Sequence, residues 1–159
     1  MSTSVPSTPA ALPVNGQVIG LAHYASRAAL ERVLAHSGTS FNQSVALRAV
    51  SDNGGSVERA WLVGRLTGAL KIEESAARAT VEEMTARELL AEPSAERVSL
   101  TDAGHELFDS IRTAGNAIAA RLYAGIPAED LATAGRVLAL VTERADAESA
   151  AAQAADRIR

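Results

Sequence analysis

Cysteine is absent from this chain of 159 residues. Disulfides, thiolate metal ligands and thiol-based redox sensing are thereby excluded. Aromatic residues make up only 3% of the chain, so the core must draw on the Leu, Val, Ile and Ala that dominate its 47% hydrophobic content. Alanine is the best helix former, and its abundance makes a mostly helical fold the expectation. Long apolar runs are also missing. None approaches the roughly 20 residues of a membrane span, and the N-terminus has no basic segment leading into an apolar block. Neither a membrane anchor nor a signal peptide is expected, and the cytoplasm is the expected location. There is no nucleophile motif, phosphate loop or two-histidine metal motif, so no enzyme activity and no cofactor are expected.

The residues that are present divide the chain into segments. Residues 1–15 are rich in Ser, Thr and Pro and read as a disordered tail without a Lys or Arg. Residues 17–37 have helical spacing, with Val18, Leu21, Ala22, Ala25, Leu30, Val33 and Leu34 covering a wide apolar surface. Ser40 followed by Gln43 is a capping-box pattern that starts a second helix through Val45, Leu47 and Val50. Asn53-Gly54-Gly55 stops it. Ser56 then reads as the cap of a third helix, with Val57, Ala60, Trp61, Gly64 and Leu70 along or near one face. Trp61, the only tryptophan, reads first as a core residue.

The most informative stretch is Ser75 to Gly104. A helix over residues 75–87 is anchored by Val81 and Met84. A short strand at Leu89 and Leu90, a turn at Pro93-Ser94-Ala95 and a returning strand over residues 97–100 follow. Thr101 then caps a new helix. Helix, hairpin and helix in so few residues is the shape of a winged helix-turn-helix, which lays one helix in a DNA major groove and its hairpin against the neighbouring backbone. After Thr101, Leu107, Phe108, Ile111, Ile118 and Leu122 follow amphipathic spacing. Gly125-Ile126-Pro127 breaks that helix, and a last one carries Leu131, Ala134, Val137, Leu138 and Val141. Two long helices outside so small a winged unit leave excess apolar surface, which predicts a homodimer.

These segments resemble the multiple antibiotic resistance regulator (MarR) family. Leu66 to Ile72 is similar to the family's positioning helix and turn, and Ser75 to Met84 to its recognition helix. Leu100-Thr101-Asp102-Ala103-Gly104 is similar to the start of its long fifth helix. Three positions depart from the family pattern: Lys71 and Glu88 stand where Gly is usual, and Glu73 where a small N-cap is usual. The wing is short and lacks the family's Asp-Arg-Arg run.

The resemblance implies a mostly α fold with a small β-hairpin wing. The winged part covers about residues 41–104, inside a single domain over residues 16–159. The flanking helices, at about 16–38 and 105–159, dimerise. It further implies sequence-specific binding to a palindromic duplex operator, most simply as a repressor. Ser75, Ala76, Arg78 and Ala79 are the expected reading residues, with Arg87 and Arg97 beside them. Against this, seven basic residues face nine acidic ones between Phe41 and Leu100, and the whole chain carries −4. Arg78 could equally be a solvated partner of Glu74 or Glu82. The alternative is a winged module that binds a protein or a small molecule and has left DNA. The family's effector cleft implies a small anionic aromatic ligand near His23, Tyr24, Arg27, Trp61 and Arg65, residues that could equally be interface packing and solvated arginines. Asp102, His105, Glu106 and Asp109 share a helix face, but without a second nearby histidine no metal site is expected.

Overall fold

The computed structural model describes residues 13–157. Most of the predicted N-terminal tail therefore lies outside the described residues. The described elements fall into two compact units, the first extending to Ile118 and the second starting at Ala119.

In the first unit, helix α1 (Gly16–Ala35) is capped by Asn15, whose side chain accepts from Val18 N at 3.0 Å. Helix α2 (Phe41–Asp52) opens with the predicted box: Gln43 N donates to Ser40 Oγ and Ser40 N to Gln43 Oε1. The following Gly54 and Gly55 take positive φ and turn the chain. Here the structure departs from the sequence expectation. Ser56 caps no helix; Ser56–Glu58 is strand β1, and helix α3 (Arg59–Leu70) begins only after it. The hydrogen bond from Leu100 N to Gly55 O and the pairing of Val57 with Val98 hold this strand from far down the chain.

Helix α4 (Glu74–Ala86) precedes strands β2 (Leu90–Ser94) and β3 (Arg97–Leu100). The antiparallel sheet has the order β1-β3-β2. Pro93 lies in edge strand β2, where the register shifts, rather than in the turn, which falls at Ala95-Glu96. An edge irregularity tolerates a residue with no N–H to donate.

Leu47 and Val50 of α2, Leu62 and Leu66 of α3, Val81 and Met84 of α4, Leu90 and Val98 are fully buried together. Each buried side chain of this size contributes about 1.5–3 kcal/mol, so the core fixes how α3 and α4 pack. Phe108 closes it from helix α5 (Asp102–Leu122). The buried face of α3 is Leu62, Val63 and Leu66. Trp61 is 40% exposed, which corrects its assignment to the core. Burial of that face leaves Trp61 on the outward side with Gly64 and Arg65.

In the second unit, the chain turns at Gly125, which has φ 77°, and Pro127 leads into helix α6 (Ala128–Arg157). No residue of α6 is buried, and Val137, Leu138, Leu140 and Val141 are among the exposed large apolar side chains. Among the described residues, no helix is long and apolar enough to cross a membrane.

Candidate nucleic-acid interface and effector pocket

The α3–α4 turn depends on Lys71, which adopts left-handed geometry with φ 55° and donates its N–H to Thr67 O. That is where the resembling family places glycine, and the backbone demand is met here at the expense of a Cβ. Glu73 starts α4 without a side-chain cap; its carbonyl accepts from Ala76 N and Ala77 N. The helix buries Ala77, Thr80, Val81 and Met84. Ser75, Ala76, Arg78 and Ala79 consequently share the exposed side with Glu82 and Glu83.

Arg78 is held by Glu74: Nε and Nη2 donate to one carboxylate oxygen at 2.8 and 2.5 Å. Both side chains are more than half exposed, and such a pair contributes only about 0.3–0.5 kcal/mol. It orients the guanidinium without committing it, since a bidentate guanine contact is worth about 1–3 kcal/mol.

The hairpin is braced from below. Arg97 on β3 donates Nη2 to Ser56 O and Ser56 Oγ across the sheet. Arg59 forms a salt bridge with Glu92, and its N–H donates to Glu96 O at 2.7 Å. At the foot of the hairpin Glu88 is the second left-handed non-glycine residue, with φ 57°. Thr101 fixes the next helix. Its Oγ1 donates to Glu88 O and accepts from Gly104 N. A Cβ on Gly104 would lie 2.2 Å from the Leu89 carbonyl oxygen, so only glycine fits.

Arg87, expected beside the reading residues, is hydrogen-bonded to the start of α2 and the loop before it. Its Nη1 donates to Gly38 O and Gln43 Oε1, and its Nη2 to Ser37 O. The guanidinium is bound into the corner between α1 and α2.

The expected ligand residues do not gather at one place. His23 and Tyr24 stack edge-to-face with centroids 5.3 Å apart on α1 and are exposed. Trp61 and Arg65 sit on the exposed face of α3. Only Arg27, among these five, lines the open depression of about 350 Å³ at the α1–α2 corner. Glu31, Thr39, Ser40, Phe41 and Asn42 line it too, and sequence reasoning missed them. The one available signal was the capping box, which places Ser40 and Phe41 at a helix start. Arg27 pairs with Glu31 at 2.8 Å and lies 4.4 Å from the centroid of the Phe41 ring. The acidic helix face at Asp102 assembles no metal site: among the described residues no three His, Asp or Glu side chains converge. Asp109 pairs instead with Arg112.

No protein-family model and no curated protein matches the chain. Solved structures do. CouR from Rhodococcus jostii RHA1, bound to p-coumaroyl-CoA, is 16% identical with a TM-score of 0.68, covering 80% of this chain and 90% of that one. BpsR of Bordetella bronchiseptica, whose DNA binding is regulated by 6-hydroxynicotinic acid, is 21% identical with a TM-score of 0.65, over 80% and 97%. A MarR-family transcriptional regulator from Silicibacter pomeroyi is 25% identical with a TM-score of 0.63, over 80% and 90%. With α3, the Lys71 turn, α4 and the β2–β3 hairpin in this order, the chain has the winged helix-turn-helix fold of the MarR-family transcriptional regulators.

Proposed function

We propose that this protein is a sequence-specific DNA-binding regulator, acting in the cytoplasm as a homodimer and most simply as a repressor that occludes a promoter. The observation that carries the reading is the exposed side of α4. Ser75, Ala76 and Ala79 are small enough to let a helix backbone approach a groove, with Arg78 among them and Arg97 on the adjacent hairpin. Residues 16–159 serve as one domain in this reading. The second copy supplies cover for Leu21 and Tyr24 of α1 and for the apolar side chains of α6, all exposed in the single chain.

The effector is small, partly apolar and anionic. Arg27 offers a cation beside the Phe41 ring in the corner depression. 6-Hydroxynicotinic acid, which regulates DNA binding by BpsR, has that chemistry, and the p-coumaroyl-CoA bound to CouR carries an aromatic group and anionic charge on a much larger molecule. Binding shifts the separation of the two reading helices, which must match successive major grooves about 34 Å apart. A thermal-shift panel of aromatic acids should give saturable stabilisation that Arg27→Ala removes; no shift from any of them rejects this effector class.

Selection of bound duplexes from a random pool tests the DNA reading. A palindromic consensus is the expected outcome. One observation favours a second reading: Glu74, Glu82 and Glu83 surround Arg78 on the exposed side of α4, a surface that suits a basic protein partner. Absence of any salt-dependent association with duplex DNA at low ionic strength would select that reading.

A further inference from the structure

Arg87 and Gln43 tie the C-terminal end of α4 to the corner between α1 and α2, beside the core contact that α2 and α4 already share. Gln43 is 5% exposed and uses both ends of its amide. Its Oε1 accepts from Ser40 N and from Arg87 Nη1, and its Nε2 donates to Glu83 Oε2 at 3.1 Å. Arg87 adds Ser37 O and Gly38 O, both at 3.0 Å. Glu83 and Arg87 are the last turn and C-cap of α4, whereas residues 37–43 are the corner whose Thr39, Ser40, Phe41 and Asn42 line the depression beside Arg27. One planar guanidinium with three acceptors, two of them main-chain carbonyls, is a rigid joint that a flexible ammonium cannot reproduce.

We propose that Arg87 and Gln43 are positioning residues that make the corner and α4 move as one body. Arg87 is then not a phosphate contact. The leverage is mechanical. Ala76 lies eleven residues from Arg87, about 16 Å along a helix, so a tilt of about 5° at the joint moves the reading end by about 1.4 Å. Displacements beyond about 0.5 Å already spoil a binding geometry. A molecule that enters the depression and shifts Ser40 and Phe41 therefore acts on α4 through Gln43. The part of the inference that concerns DNA rests on the proposed function; the joint itself does not.

Two measurements separate these. The first needs no DNA. Amide hydrogen exchange in full-length protein should show Arg87→Lys accelerating exchange about tenfold both at residues 38–43 and at residues 87–89, with the α2 centre around Leu47 unchanged. Glu83→Leu, which leaves the α2 cap intact, should act in the same direction and decides the matter if Arg87→Lys does not fold. Acceleration in one segment only, or in neither, overturns the joint. The second uses the selected operator across a salt series. A positioning Arg87 predicts that Arg87→Lys weakens operator binding about tenfold and that neither Arg87→Lys nor Arg87→Ala alters the salt slope. If Lys preserves affinity and Ala makes the slope shallower by about 1.8, about 0.9 for each copy of Arg87 in a dimer, Arg87 grips a phosphate and the inference fails. If the wild-type protein selects no duplex, the DNA reading fails and the exchange result alone judges the joint.

Discussion

Gly104 and Glu88 face opposite backbone demands. At Gly104 the Leu89 carbonyl oxygen occupies the space of a Cβ, and that carbonyl is pinned by the N–H and Oγ1 of Thr101. The neighbour is main chain and cannot rotate away. Gly104→Ala should therefore cost about 1–3 kcal/mol or more, as overpacking against a fixed wall does, read as a lower midpoint in urea unfolding. Glu88 presents the reverse case. Its φ of 57° costs a side-chain-bearing residue about 1–2 kcal/mol, and its carboxylate sits at the negative end of α4. Glu88→Gly loses some unfolded-state restriction but should still gain about 0.5–1 kcal/mol by the same denaturation measurement. A decrease would mean that the left-handed turn is compensated elsewhere.

At the scale of elements, α4 and the hairpin divide the work in the proposed complex. Arg78 stands in the first turns of α4, from which a recognition helix reaches base edges. Arg97 is bound to Ser56 on a neighbouring strand and meets backbone. Arg78→Ala should weaken the selected operator by about 1–3 kcal/mol while sparing a scrambled duplex. Arg97→Ala should weaken both alike. Fluorescence anisotropy on the two duplexes compares them directly, and equal losses for Arg78→Ala would remove it as the base reader. The elements themselves were unequally legible. The capping box at Ser40 and Gln43, and the Leu100-Thr101 and Gly104 pattern, act over three or four residues, and they read correctly. The family positions usually held by glycine, Lys71 and Glu88, are both left-handed. Strand β1 was missed because three residues become a strand only when Val98, some forty residues later, arrives beside Val57.

Over the whole molecule, charge and apolar surface set the remaining expectations. In the proposed complex Arg78 reads base edges, and Lys71 of the turn and Arg97 of the hairpin meet phosphates. About two phosphates per protomer, or about four for a dimer, give a log–log salt slope near −4 at about −0.9 each. A slope about twice as steep would show that other arginines take part. The dimer proposal predicts that ending the chain after Gly125 leaves Leu21, Tyr24 and Leu122 uncovered and yields an aggregating protein. Sedimentation of a folded, soluble monomer would refute it.

The sequence by itself determined what short-range physics can carry: helical content from alanine, the helix starts at Ser40 and Thr101, the break at Gly125-Pro127, and the order that resembles a winged helix-turn-helix. Local pattern places each of these within a few residues. Tertiary structure alone decided which side chains meet. Trp61 faces outward because the core takes the face of α3 that carries Leu62, Val63 and Leu66. Arg87 is tied to the α1–α2 corner because carbonyls some fifty residues upstream are brought within 3.0 Å of its guanidinium. The depression at Arg27 exists because the chain folds α1 back onto the start of α2. Those partners are distant in sequence, and periodicity reports only the face a residue occupies, not what the fold brings opposite it.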